Sequence, residues 1–128
     1  MKPLGPIPPY FETIDGELAV GGKTASALVK ETGDTPLFVY SKDAMLRRIA
    51  ELRTALPDRV RLHYAMKANP YSPVLEFMAD HVDGLDIASG GELEQAREAG
   101  YLPREISFAG PGKRDRELFA AVRAGVTL

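Results

Sequence analysis

The sequence has no cysteine, so disulfides, thiolate nucleophiles and cysteine metal sites are all excluded. Histidine is scarce too: His63 and His81 are too few and too far apart to build a metal site by themselves. No apolar run approaches the roughly 20 residues that span a bilayer. The opening MKPLGPIPPYF is broken by prolines where a signal peptide needs an apolar helix. These absences make a soluble cytoplasmic protein the expectation. No block of like charge stands out either. With 16 basic and 18 acidic side chains the formal charge is only −2, which argues against nucleic acid or an anionic membrane as a partner. No G-x-G-x-x-G follows a strand-like run, which removes the usual dinucleotide fingerprint. AGPGKRD, at 109–115, is too short for a Walker motif, and Arg114 stands where Ser or Thr would bind magnesium, so nucleotide hydrolysis is rejected.

What is present is a globular composition: 128 residues, 45% hydrophobic and 27% charged, enough for a domain burying about two-thirds of its unfolded surface. The first twenty or so residues read as an extended arm, because Pro3, Pro6, Pro8 and Pro9 supply no backbone donors. DGELAVGG, at 15–22, reads as a turn with a short strand, and residues 24–32 as a short helix stopped by Gly33. Residues 36–40, PLFVY, are aromatic and β-branched enough for a strand. Ser41 is then a plausible N-cap for an amphipathic helix whose Met45, Ile49, Leu52 and Leu56 share one face before Pro57.

From Val60 the pattern becomes a repeat. Residues 60–66, 84–89 and 105–110 read as strands. Between and after them come helices: one from about Pro73, capped by Ser72, with Val74, Phe77, Met78 and His81 on one face; one over 91–100; and one over 114–125. Gly100 and Gly125 close the last two. The strands recur roughly every 21 to 23 residues, the length of a compact strand–helix unit. Such crossovers make parallel strands, so the expected fold is α/β with helices outside a parallel sheet. VTL, at 126–128, begins a fourth strand. The expectation is therefore the N-terminal part of a longer protein, at most half of an eight-stranded barrel, which needs about 250 residues. A sheet edge left open in this way predicts a chain that is poorly soluble and inactive alone.

Ligands of parallel α/β folds gather at the carboxyl ends of the strands. Three residue sets fall there: Lys67-Ala68-Asn69, Asp86 with Ser89-Gly90-Gly91, and residues 110–113. Lys67 has two readings. It is either a solvated loop lysine or an amine held among apolar groups, where desolvation disfavours the ammonium and lets it attack a carbonyl. The uncharged neighbours Tyr64, Ala65 and Met66, with small Ala68 leaving room, favour the second. Asp86, between Leu85 and Ile87, either hydrogen-bonds a neighbouring loop or pairs with the Lys67 amine or a substrate ammonium. The SGGEL loop either holds an anion on backbone N–H groups or simply turns the chain. His63 reads as a packed residue and His81 as a helix-end residue.

YAMKAN, then GLDIASGGEL, then ISFAGPGK, in that order and spacing, resembles the barrel domain of pyridoxal-phosphate-dependent decarboxylases of the alanine-racemase-like fold. This is the group of diaminopimelate and ornithine decarboxylases, and the resemblance runs from about Thr35 to the end. The opening segment together with FAGPGK is similar to the subgroup found with exosortase A systems. The resemblance implies a (β/α)8 TIM-type barrel over 41–128, truncated in its fourth strand, and an N-terminal arm over 1–40 that belongs to a β-domain in the full protein. It implies pyridoxal 5′-phosphate as cofactor, with Lys67 forming the internal aldimine, Asp86 as the second catalytic residue, and cofactor contacts at Lys67, Ala65 and Ser89. It also implies a small-molecule amino-acid substrate and a homodimer for the full-length protein. The alternatives left open are a non-catalytic truncated fragment of such an enzyme, or a racemase or cofactor carrier on the same barrel.

Overall fold

The computed structural model describes residues 9–128. Of the prolines expected to extend the N-terminus, Pro3, Pro6 and Pro8 lie outside that range. The chain divides into two compact units, one ending at Ala55 and one starting at Leu56.

In the first unit, strands β1 (Glu12–Ile14), β2 (Glu17–Val20) and β3 (Lys23–Thr24) form an antiparallel meander in that order. Two two-residue turns join them. Asp15-Gly16 and Gly21-Gly22 all have positive φ, the mirror-image turn geometry that matches strand twist. The expected arm is thus a hairpin from Glu12 onward, because Asp-Gly supplies the turn that proline content alone does not reveal. Helix α1 (Ala25–Thr32) starts where Thr24 Oγ1 accepts the Ala27 N–H at 3.2 Å, and stops at Gly33, whose φ is 81°. Helix α2 (Lys42–Ala55) starts at Ser41, whose Oγ accepts the Ala44 N–H at 3.2 Å. Its expected apolar residues Met45, Ile49 and Leu52 are each half-buried.

Residues 36–40 do not form the expected strand. Composition favours extended chain there, but a strand also needs a ladder, and no β-ladder among the described residues includes this segment. Phe38 is accordingly 81% exposed.

The second unit holds strands β4 (His63–Ala65), β5 (Gly84–Ile87) and β6 (Ile106–Phe108), all parallel and adjacent in chain order. Helix α3 (Ser72–Ala79) connects β4 to β5, α4 (Gly90–Glu98) connects β5 to β6, and α5 (Asp115–Ala124) follows β6. The α/β expectation holds, including the start of a further strand: Thr127 bridges Ser107 in parallel. The first strand is shorter than expected, since pairing is confined to three residues and Met66 already opens a single 3₁₀ turn, Met66–Ala68. Ser72 is not the cap of α3. Tyr71 occupies that position without a side-chain capping bond, and its own N–H goes to Asn69 Oδ1 at 3.0 Å.

Alternation gives the sheet two unlike faces. Leu85, Ile87, Ile106 and Phe108 are buried against the helices, packed with Leu75 of α3 and Leu93 of α4. Each such side chain contributes about 1.5–3 kcal/mol. Leu75, 1% exposed, belongs to the core although the helical face drawn from sequence omits it. Tyr101 is buried there too and donates its hydroxyl to Leu75 O at 3.1 Å; burial pushes that hydroxyl up to about 12. The opposite face carries His63, Ala65, Asp86 and Ser107, all half-buried.

Candidate functional site

Three loops leave the carboxyl ends of β4, β5 and β6, and each is built by its own local bonds. After β4 the chain is pinned at Met66, which is fully buried, and turns at once. Asn69 N–H closes the 3₁₀ turn on Met66 O at 3.1 Å, and the Tyr64 hydroxyl donates to Asn69 O at 3.2 Å. Lys67 stands on this braced turn and is exposed. The burial expected for it among Tyr64, Ala65 and Met66 is not found, because Met66 turns into the core while Lys67 and Ala68 turn out. No hydrogen bond or ion pair joins Lys67 to a described residue.

Ala65 and Asp86 are register partners on neighbouring strands. The expected pairing of Asp86 with Lys67 is absent. Instead Asp86 Oδ1 accepts from Ser107 Oγ at 2.8 Å, so its partner is a residue of the adjacent strand β6 and not of a neighbouring loop as the first alternative had it. Ser107 was not picked out from sequence; its only signal is parity, two residues after Glu105 in a strand that puts Ile106 and Phe108 in the core.

Ser89 is the N-cap of α4, its Oγ accepting the Glu92 N–H at 3.2 Å, while Glu92 Oε2 accepts the Ala88 N–H at 2.6 Å. The open question of an anion at SGGEL has a partial answer. Gly90 N–H binds a carboxylate of the chain itself, Glu117 Oε1 at 2.8 Å. The other oxygen of Glu117 accepts the Arg114 N–H at 2.9 Å. These donors, Arg114 first and then Gly90, hold the Glu117 carboxyl below the usual carboxylate range. In the third loop Lys113 donates to Gly110 O at 2.9 Å and lies 5.3 Å from the Phe108 ring centre, so it clasps its own loop. No group of three or more potential metal ligands occurs among the described residues. No described helix is long and apolar enough to cross a membrane.

The arrangement is therefore that of an α/β protein presenting a primary amine, with no hydrogen-bond or ion-pair partner among the described residues, at the carboxyl end of a parallel sheet, beside a polar sheet face. Residues 42–128 match the family described as pyridoxal-dependent decarboxylase, pyridoxal binding domain. The chain belongs to that family. It is 39% identical over 120 residues to diaminopimelate decarboxylase of Aquifex aeolicus, covering 94% of this chain and 28% of that protein. A crystal structure from Aquifex aeolicus superposes with a TM-score of 0.80 at 40% identity, covering 92% of this chain and 29% of the other. Diaminopimelate decarboxylase from Helicobacter pylori, complexed with L-lysine, gives a TM-score of 0.69 at 31% identity, covering 77% and 25%. The chain thus spans less than a third of the length of these relatives.

Proposed function

We propose that this chain supplies the N-terminal barrel segment of an amino-acid decarboxylase that uses pyridoxal 5′-phosphate, with Lys67 as the covalent anchor and diaminopimelate or ornithine as the substrate class. The observation that carries the reading is Lys67 itself, an exposed amine with no partner among the described residues, on a turn braced by Met66, Tyr64 and Asn69. The residues present fit an aldehyde cofactor: a primary amine to hold its carbonyl carbon, small Ala65 and Ala68 beside it, and a polar rather than apolar sheet face. When bound, the cofactor supplies an electron sink for the pair left on the α-carbon as carbon dioxide departs. The chain's own part is positional. Lys67 tethers, Ala65 keeps the floor of the site low, Asp86 contributes a carboxylate on the adjacent strand, and Ser89 keeps a hydroxyl hydrogen to donate beyond its capping role.

Borohydride reduction of the full-length protein with its cofactor, followed by peptide mapping, tests the anchor. The pyridoxyl label is expected on Lys67 and is lost in Lys67→Ala; a label on any other residue refutes the assignment. Carbon dioxide release from candidate amino acids separates decarboxylation from racemisation on the same barrel. The full-length protein is further proposed to be a cytoplasmic homodimer, which light scattering tests. Membership of the exosortase A-associated subgroup rests on the opening segment and on FAGPGK, and the neighbouring genes test it.

A further inference from the structure

The polar face of the sheet carries a connected set of side chains whose order is fixed by counting hydrogens. Ser107 Oγ lies 2.8 Å from Asp86 Oδ1 and 3.3 Å from His63 Nδ1. A serine hydroxyl owns one hydrogen. Its shortest bond is to the Asp86 carboxylate, since the other acceptors in reach, Leu85 O and a bare His63 Nδ1, stand at 3.4 Å and 3.3 Å. With that hydrogen given to Asp86, the serine oxygen can only receive, and the donor facing it is His63. The order is then His63 Nδ1–H to Ser107 Oγ–H to Asp86 Oδ1.

The strands make this order possible through one small residue. β5 lies between β4 and β6, with His63 opposite Gly84 and Asp86 opposite Ser107. His63 must reach across β5 to meet Ser107. A Cβ on Gly84 would stand 2.7 Å from His63 Cε1 and 2.9 Å from Nε2, so the imidazole fills the space that a side chain at 84 would take. Four residues on three strands thus form a single arrangement.

We propose that His63 and Ser107 are positioning residues for Asp86. His63, held over Gly84 as the Nδ1–H tautomer, orients the Ser107 hydroxyl, and Ser107 fixes one oxygen of the carboxylate so that the other is presented in one direction. The catalytic consequence rests on the decarboxylase reading above; the hydrogen-bond order does not.

The test uses the full-length protein with its cofactor, labelled with 15N-histidine, the His63 signals being identified by their loss in His63→Gln. In its neutral form His63 is expected to show a protonated Nδ1 and a bare Nε2. Ser107→Ala should return it toward the Nε2–H form, and Ser107→Thr, which keeps the hydroxyl, should restore the original pattern. In turnover, Ser107→Ala should lower kcat about tenfold, the loss of one such bond, and have no added effect in an Asp86→Asn background. A wild-type His63 in the Nε2–H form overturns the proposal. So does an equal loss from Ser107→Ala with and without the Asp86 carboxylate. A wild-type protein that releases no carbon dioxide sinks the decarboxylase reading instead, and the histidine spectrum then decides the hydrogen-bond order alone.

Discussion

Gly84 shows how a single residue governs a face of the sheet. Its role is space, not backbone freedom: a Cβ there would fall 2.1 Å from Glu105 O as well as inside contact distance of the His63 ring. A backbone oxygen of the turn just before the adjacent strand cannot swing aside as a side-chain tip can. Gly84→Ala is therefore expected to destabilise the fold by about 1–3 kcal/mol, the range of forced overpacking. Gly91→Ala is the control, since nothing lies within 4 Å of its would-be Cβ. Denaturant midpoints of the two variants check this, and equal midpoints would contradict the steric account. Lys67 and Asp86 could be found from sequence because each is a charged residue in apolar company. Ser107 and Gly84 could not, since a serine in ISF and a glycine before LDI look like ordinary strand residues until the register sets them beside Asp86 and His63.

At the scale of elements, Glu117 clips two helix N-termini together. One carboxylate oxygen takes the Gly90 N–H of α4 and the other the Arg114 N–H before α5. Both are donors that helices leave without intrahelical partners. Because the folded state holds this carboxyl below its ordinary value of 4.5, its stabilisation is complete above that value and disappears as pH falls through the lowered one. Glu117→Ala should accordingly lower the unfolding midpoint at pH 7, and the gap to wild type should narrow as pH falls below 4.5. A gap that stays constant would mean that the charge plays no part. The helices themselves were readable, although of the two hydroxyls expected to cap them Ser41 does so and Ser72 does not. Strand extents were less so. Residues 36–40 have the composition of a strand, yet composition cannot say whether another segment will lie alongside.

On the scale of the whole molecule, the parallel sheet is built as a floor with one dry side and one wet side. Leu85, Ile87, Ile106 and Phe108 close the dry side, while His63, Asp86 and Ser107 line the other. The curated relatives are more than three times as long as the part of them that this chain covers. The 128-residue chain alone is expected to release no carbon dioxide from diaminopimelate or ornithine in the presence of pyridoxal 5′-phosphate; measurable turnover would refute that. The parallel α/β reading was open to sequence because strand–helix spacing is periodic, and the barrel came from the family resemblance, whereas the polarity of the opposite face depends on which parity of each strand turns toward the helices. The contrast between buried Met66 and exposed Lys67 carries a consequence for encounter. A neighbour sunk in the core removes hinge motion from the main chain, so the amine searches only the hemisphere its own four-carbon stem can sweep. The reach of the amine is then set by rotation of its own side chain about a fixed point on the braced turn.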